Sequence, residues 1–310
     1  MLRVEHGGVS CASGRLHAVS PTGTFRVPVD AALRPDDLAP GDRVEAARDW
    51  SDLRVHRVRD AGDPDFPLAY ERLWSEFGAR GEMERRRVIE ERLAWDPAQP
   101  VGSAALAYEL LVLRRGGTLA ALRDHTAVVR LDARRRPLPG PVVVHLSHAF
   151  VEPPERGSGI AAWLRALPLE TARRCARAAA ADPAAEVVLV AEMEPPDPAE
   201  PRRMVRLRSY ERAGFQKVDP AAAPYAQPDF RPAELLAGET PQPIPLNLVL
   251  RRVGREHEAR MPAAELAAVV AAIYAVYAVH VPAAALEPLR EAAGVWTARE
   301  PSFRLLPPTA

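Results

Sequence analysis

The sequence predicts an α/β protein built on one central mixed β-sheet flanked by helices. Three observations lead there. Between about residues 53 and 253, segments of strand character alternate with segments of helical period. One strand, EVVLVAEME from Glu186 to Glu194, carries an apolar run of the kind buried on both faces of a covered sheet. Glycines and prolines punctuate the joints between the segments, so the elements are many and short-linked.

Taken in order, residues 1–50 read as a small β-rich arm or module, with SGRLHAVSPTGTFRVPVD split by a Ser-Pro-Thr-Gly turn. In LAPGDRVEAARDW, a Pro-Gly-Asp turn precedes a further short strand. LRVHRVRD alternates as a strand. PLAYERLWSEFG follows as a helix with Leu68, Leu73, Trp74 and Phe77 on one side. EMERRRVIEERLAW is a second, highly charged helix that sets Met83, Ile89 and Leu93 together. YELLVLRRGGTLAALRDHTAVVRLD makes two strands joined around Arg-Arg-Gly-Gly, and VVVHLSHAFV a third. IAAWLRALPLETARRCARAAAA is a helix broken or kinked at Pro168. MVRLRSYERAGF is a helix that stops at Gly214, and IPLNLVLRRVG is a late strand. Residues 256–310 read as a helical extension, with helices at 262–280 and 282–293 and a short tail. The domain expected around the alternating pattern therefore spans residues 51–255.

Composition narrows the function. The 310 residues balance 41 cationic against 41 anionic side chains, so no global field draws nucleic acid or an anionic membrane. Lys217 is the only lysine among the cations, and with 32 prolines and abundant alanine this reads as a GC-rich bacterial coding bias. Cys11 and Cys175 are too far apart for metal-ligand spacing and read as free thiols of a reducing cytoplasm. No apolar core of a secretory signal stands at the N-terminus. The uncharged run Leu266–Val279 is shorter than the roughly 20 residues a span requires, which makes it a buried or partner-facing helix, homodimer contact included.

The richest stretch is HLSHAFVEPPERGSGIAAWLRAL, from His145 to Leu167: a strand, a turn, a Gly-Ser-Gly and a helix. Gly157 and Gly159 allow close approach to the backbone, Ser158 adds a hydroxyl, and Arg156 adds a charge. A phosphate or pyrophosphate is the natural guest of such a junction. The Gly-Ser-Gly lacks the Lys-Ser/Thr of a nucleotide-binding loop and the acidic residue of a dinucleotide fold. No ligand cluster supports metal catalysis.

Arg156-Gly-Ser-Gly159-Ile-Ala161 resembles the Arg/Gln-x-x-Gly-x-Gly/Ala signature of the GNAT acyltransferase superfamily. Val151-Glu152-Pro153 before it resembles that family's Val-x-Pro, and Tyr210-Glu-Arg-Ala-Gly214-Phe215 its Tyr-x-x-x-Gly-Phe. The resemblance covers about residues 53 to 253. It implies a GNAT fold and transfer of an acyl group, usually acetyl, from acetyl-CoA to a primary amine by direct attack. It further implies that the backbone of Arg156, Gly157, Ser158, Gly159, Ile160 and Ala161 holds the pyrophosphate. The strand at Phe150, Val151 and Glu152 would pair with the pantetheine, beside a slot where it splays from the next strand.

The same resemblance gives Tyr210 the role of general acid toward the departing thiolate. His145, six residues before Val151, lies where some members place the base. A neutral imidazole suits that task. In a regular strand His148 points the other way, and a bulge between the two would undo that. Glu192 and Glu194 are alternative bases, and Glu109 and His125 are candidates to line the acceptor groove. Where the family often carries an Asn upstream of the Tyr, the chain has Arg202-Arg203-Met204-Val205, with Arg202 or Arg203 placed to face phosphates. The rival expectation is a non-catalytic acyl-CoA sensor or scaffold on the same fold. Spacing does not choose between a protein lysine, a peptide N-terminus and a small amine as acceptor.

Overall fold

A computed structural model describes residues 31–231, Leu236, Gly238 and 240–310. Its centre is a mixed sheet. In chain order the strands are β1 (Leu53–Arg57), β2 (Ala104–Arg115), β3 (Thr118–Arg130), β4 (Val142–Val151), β5 (Val187–Met193), β6 (Gln216–Val218), β7 (Ala226–Gln227), β8 (Ile244–Pro245), β9 (Asn247–Arg252), β10 (Arg260–Pro262) and β11 (Ser302–Leu306). Nine of them form one sheet in the order β1-β2-β3-β4-β5-β9-β6-β11-β10, and β7 and β8 make a separate pair. β4 and β5 run parallel, while the neighbouring pairs β3–β4 and β5–β9 are antiparallel.

The local chemistry explains the framework. Gly116 and Gly117, both at positive φ (54° and 84°), close the two-residue turn between β2 and β3, the geometry a tight hairpin needs. The long helix expected across Pro168 divides into α4 (Ala161–Ala166) and α5 (Pro168–Ala178), because proline has no N–H to continue the ladder. α6 (Pro201–Arg212) starts on a proline and ends at Gly214, whose φ of 77° permits the reversal. The N–H of Phe215 donates to the carbonyl of Tyr210, and that of Gly214 to Glu211.

Helices cover both faces. α2 (Phe66–Phe77), α3 (Arg86–Leu93), α7 (Ala263–Tyr277) and α8 (Ala283–Arg299) pack on the face that carries Leu106, Tyr108, Val143 and Val190. α4, α5 and α6 pack on the other, over Ala107, Val144, Leu146 and Leu189. The apolar run at Leu266–Val279 lies mostly in α7, buried against the sheet beside Val188, Val190 and Leu250. Among the described residues, no helix is long and apolar enough to cross a membrane.

Two segments differ from expectation. Residues 1–30 lie outside the described residues, and 31–50 hold two 3-10 turns and the short α1 (Arg43–Ala46) rather than a strand. Pro40 opens this stretch and Glu45-Ala-Ala follows, a composition that favours helical turns over extended backbone. The segment 256–310 is not purely helical, since β10 and β11 extend the central sheet. Phe303 and Leu305 alternate inward in β11, but the strand is short and bracketed by prolines.

Candidate active site

The site grows out of a fault in the sheet. β3 and β4 pair in one register through His125 and Leu146, and in another from Arg123 and Ala149 onward. One extra residue of β4 is accommodated there, so Asp124 faces both Ser147 and His148 in a β-bulge. Asp124 accepts the backbone N–H of His148 (2.7 Å), its ring Nδ1 (2.9 Å) and the hydroxyl of Tyr108 (2.9 Å). A buried carboxylate thus supplies a partner for the backbone amide at the bulge. The bulge also brings His145 and His148 to the same face of the sheet. His145 packs edge-on against Tyr277 of α7, and His148 against Phe77 of α2.

Beyond His145 and Val190, β4 and β5 no longer pair. The opening between them belongs to a cleft of about 860 Å³. His145, Glu192, Phe77 and Glu82 line it from one face of the sheet, Arg123, Arg165, Ser209 and Tyr210 from the other, and the Arg156–Ala161 loop at one end.

His145 and Glu192, expected as alternative bases, form one unit. Nε2 of His145 lies 2.7 Å from Oε2 of Glu192. Tyr277 donates to that oxygen and Tyr225 to Oε1, each at 2.5 Å. Since the carboxylate accepts, Nε2 of His145 is the donor in this contact. Nδ1 has no hydrogen-bond partner among the described residues.

His148 differs in kind. Nδ1 meets Asp124 and Nε2 donates to the carbonyl of Glu82 (2.9 Å), so both nitrogens are occupied as donors. Burial works against its charge, but Asp124 overrides it and raises the imidazole to about 9. Burial would likewise raise the carboxyl of Asp124, and the charge and hydrogen bonds of His148 bring it down to about 2. A charged, doubly bonded imidazolium is a support of the bulge, not a base.

Tyr210 reaches the cleft from α6, with its ring edge-on to Phe215 at 4.8 Å. The Tyr-x-x-x-Gly-Phe spacing acquires a physical reason here. The helix-ending turn joins the Tyr210 carbonyl to the Phe215 amide, so the same turn that stops α6 fixes the phenol. Its oxygen is 3.5 Å from Nη1 of Arg123. Burial would raise the phenol, and Arg123, Arg165 and Arg206 together outweigh it and lower it below the ordinary value.

In the loop, Gly157 and Gly159 take φ of 79° and 98°. The amides of Gly157, Gly159 and Ala161 donate to no backbone carbonyl of the described residues, as amides that receive an anion must be. Arg156 donates to the Val151 carbonyl (3.2 Å) and folds the loop back on the strand. The hydroxyl of Ser158 accepts the N–H of Ile160 (3.2 Å). Val151, Arg156, Gly157, Gly159, Ile160 and Ala161 line the cleft. Phe150 is buried beneath the guanidinium of Arg72, and Glu152 pairs with the same arginine at 2.9 Å. Arg202 lines the cleft, whereas Arg203 donates to the Pro195 carbonyl. Glu194 lines the cleft paired with Arg206.

Glu109 and His125 do not reach the groove. They lie under α5, where Thr171 donates to Glu109 and meets Nε2 of His125. Burial, ahead of all other influences, lowers that histidine to about 4. Their register on β2 and β3 turns them to the α5 face, opposite Tyr108 and Asp124's neighbour Leu122. Cys175 is buried there as well, its thiol pushed up to about 12 by burial. Spacing did not mark Arg123, Asp124, Tyr225 or Tyr277. The one trace of Arg123 and Asp124 in the sequence is a charged pair inside the apolar strand TLAALRDHTAVV.

No protein-family model and no curated protein matches the chain. Solved structures similar to it include a tandem GNAT protein from the clavulanic acid biosynthesis pathway, at 18% identity over 57% of this chain and 46% of that one, with a TM-score of 0.34. Others are yncA from Salmonella typhimurium with its cofactor acetyl-CoA (16%, 66% of this chain and 95% of that one, TM-score 0.32) and ElaA of Escherichia coli (14%, 64% and 99%, TM-score 0.31). The likeness is slight. The match spans under half the length of the tandem protein. What bears on function is the chain's own cleft and the residues that line it.

Proposed function

We propose that the protein is a GNAT-type acyltransferase that moves an acyl group, acetyl in the simplest case, from acyl-CoA to an amine within this cleft. One observation carries the proposal. β4 and β5 part immediately after His145, and the parting has a base-like pair on one face and a phenol beside cations on the other.

The chemistry follows from that placement. The loop amides of Gly157, Gly159 and Ala161 hold the pyrophosphate, and the unpaired edge of β4 takes the pantetheine between the strands. An amine entering past Phe77, Glu82 and Tyr277 meets His145, whose Nδ1 takes its proton while Glu192 holds the ring. The amine nitrogen bonds to the thioester carbon, and the C–S bond breaks toward Tyr210. The phenol donates its proton to the leaving sulfur. A binder without catalysis would need the loop and the slot alone, and has no use for a carboxylate-oriented imidazole opposite an acidified phenol.

The test is turnover: purified protein, acetyl-CoA and a panel of primary amines, with release of free CoA measured. Release dependent on an amine supports the proposal. Binding of acetyl-CoA without release across the panel would leave the sensor or scaffold in its place.

A further inference from the structure

Arg123 is an unusual occupant of a sheet interior. Its residue is 1% exposed, and it sits on β3 beside the bulge. It forms no ion pair with a carboxylate among the described residues, and Nε has no hydrogen-bond partner. Among the described residues its one hydrogen bond runs from Nη1 to the phenol oxygen of Tyr210 at 3.5 Å. A buried guanidinium left without an anion is costly, so folds rarely keep one without a use for it.

The other cations near Tyr210 are already matched. Arg165 of α4 pairs with Asp42 through two nitrogens (2.9 and 2.5 Å) and donates to Ser209 (3.1 Å). Arg206 on α6 itself pairs with Glu194. His145, Glu192 and the His148–Asp124 pair belong to the opposite face of the sheet. Of the three arginines that act on the phenol, Arg123 is the one with no carboxylate partner among the described residues.

We propose that Arg123 is a positioning residue for proton transfer, a cation that stabilises the anion formed at Tyr210 and at the sulfur leaving beside it. This rests on the acyl-transfer reading. As the C–S bond breaks, its electron pair goes to sulfur and sulfur takes the phenol proton. The phenolate then stands opposite Arg123 until water returns a proton, while the amine proton leaves through His145. Because Arg123 donates to the phenol oxygen, the phenol's own proton stays free to be given. The net lowering of the phenol, in which Arg123 is the foremost opponent of burial, agrees with the geometry.

The experiment is an ultraviolet titration of tyrosinate in the wild type, Tyr210→Phe, Arg123→Met and Arg123→Lys, with pH–rate profiles of the same proteins. Subtracting the Tyr210→Phe curve isolates Tyr210. It should ionise below the ordinary phenol near ~10 in the wild type, and at a pH about one unit or more higher in Arg123→Met. The alkaline limb of kcat should move up with it, and kcat should fall about tenfold or more with KM for acetyl-CoA nearly unchanged. Arg123→Lys, which keeps a cation, should lie between. Should Arg123→Met not fold, the lysine variant decides by the same shift. An unmoved Tyr210 titration in a folded variant overturns the proposal. If the titration moves but no protein turns over acetyl-CoA, control of the phenol stands and the acyl-transfer reading falls.

Discussion

Nε2 of His145 and Oε2 of Glu192 lie 2.7 Å apart, although 47 residues separate them in the chain. Their strands pair in parallel up to His145 and then part, so the contact sits at the apex of the cleft. An imidazole held this way has one tautomer and one orientation. Replacing His145 by Ala should lower kcat by roughly 10²–10⁴-fold. Glu192→Gln should lower it by about a hundredfold, since an amide can offer Nε2 a donor and favour the wrong tautomer. The two losses should not add in the double variant, because the residues act as a unit. Fully additive effects, measured as kcat in a double-mutant cycle, would separate the pair.

Tyr210→Phe removes the proton and keeps the ring against Phe215. Turnover should drop by about 10²–10⁴-fold while calorimetric affinity for CoA stays near that of the wild type. Undiminished turnover would leave the general acid elsewhere.

His148 and Asp124 give the fold a pH signature. Asp124, down at about 2, contributes stability that is present above its unfolded value near ~4 and lost as pH falls toward 2. His148, up at about 9, contributes stability that is complete below its unfolded value near ~6.5 and lost as pH rises through 9. The pair therefore supports the fold most between pH ~4 and ~6.5. Asp124→Asn should cost about 3–5 kcal/mol at pH 6, because it strands a buried imidazolium. Thermal unfolding of the variant should also lose the wild type's decline between pH 6.5 and 9. A melting curve that keeps that decline would assign it to other groups.

Gly157 has a φ of 79°, and a Cβ there would meet nothing within 4 Å. Gly157→Ala therefore strains the backbone without a clash, at about 1–2 kcal/mol. If the loop must keep this shape to hold pyrophosphate, CoA affinity should fall by roughly tenfold in calorimetry. Equal affinity would detach the loop from the ligand.

Much of this was legible in the chain. The apolar run of β5, the Gly-Gly hairpin and the Gly214 stop are local signals, and each element formed where they placed it. Pro168 split its helix as proline must. What escaped was set by tertiary contact. The bulge at Asp124 depends on strand register across β3 and β4, and it reverses the parity that would have set His148 opposite His145. Tyr225 and Tyr277 join Glu192 from segments 33 and 85 residues away, with no spacing rule to connect them. Glu109 and His125 went to the α5 face because alternation along a strand does not tell which face meets the ligand.

Acyl transfer in this protein requires that the parting of β4 and β5 be an acyl-CoA slot. A crystal structure with acetyl-CoA decides the point. The pyrophosphate should lie on the amides of Gly157, Gly159 and Ala161, the pantetheine along β4, and the sulfur within roughly 3–3.5 Å of the Tyr210 oxygen. Coenzyme bound away from the slot, or a thioester remote from both Tyr210 and His145, would contradict it.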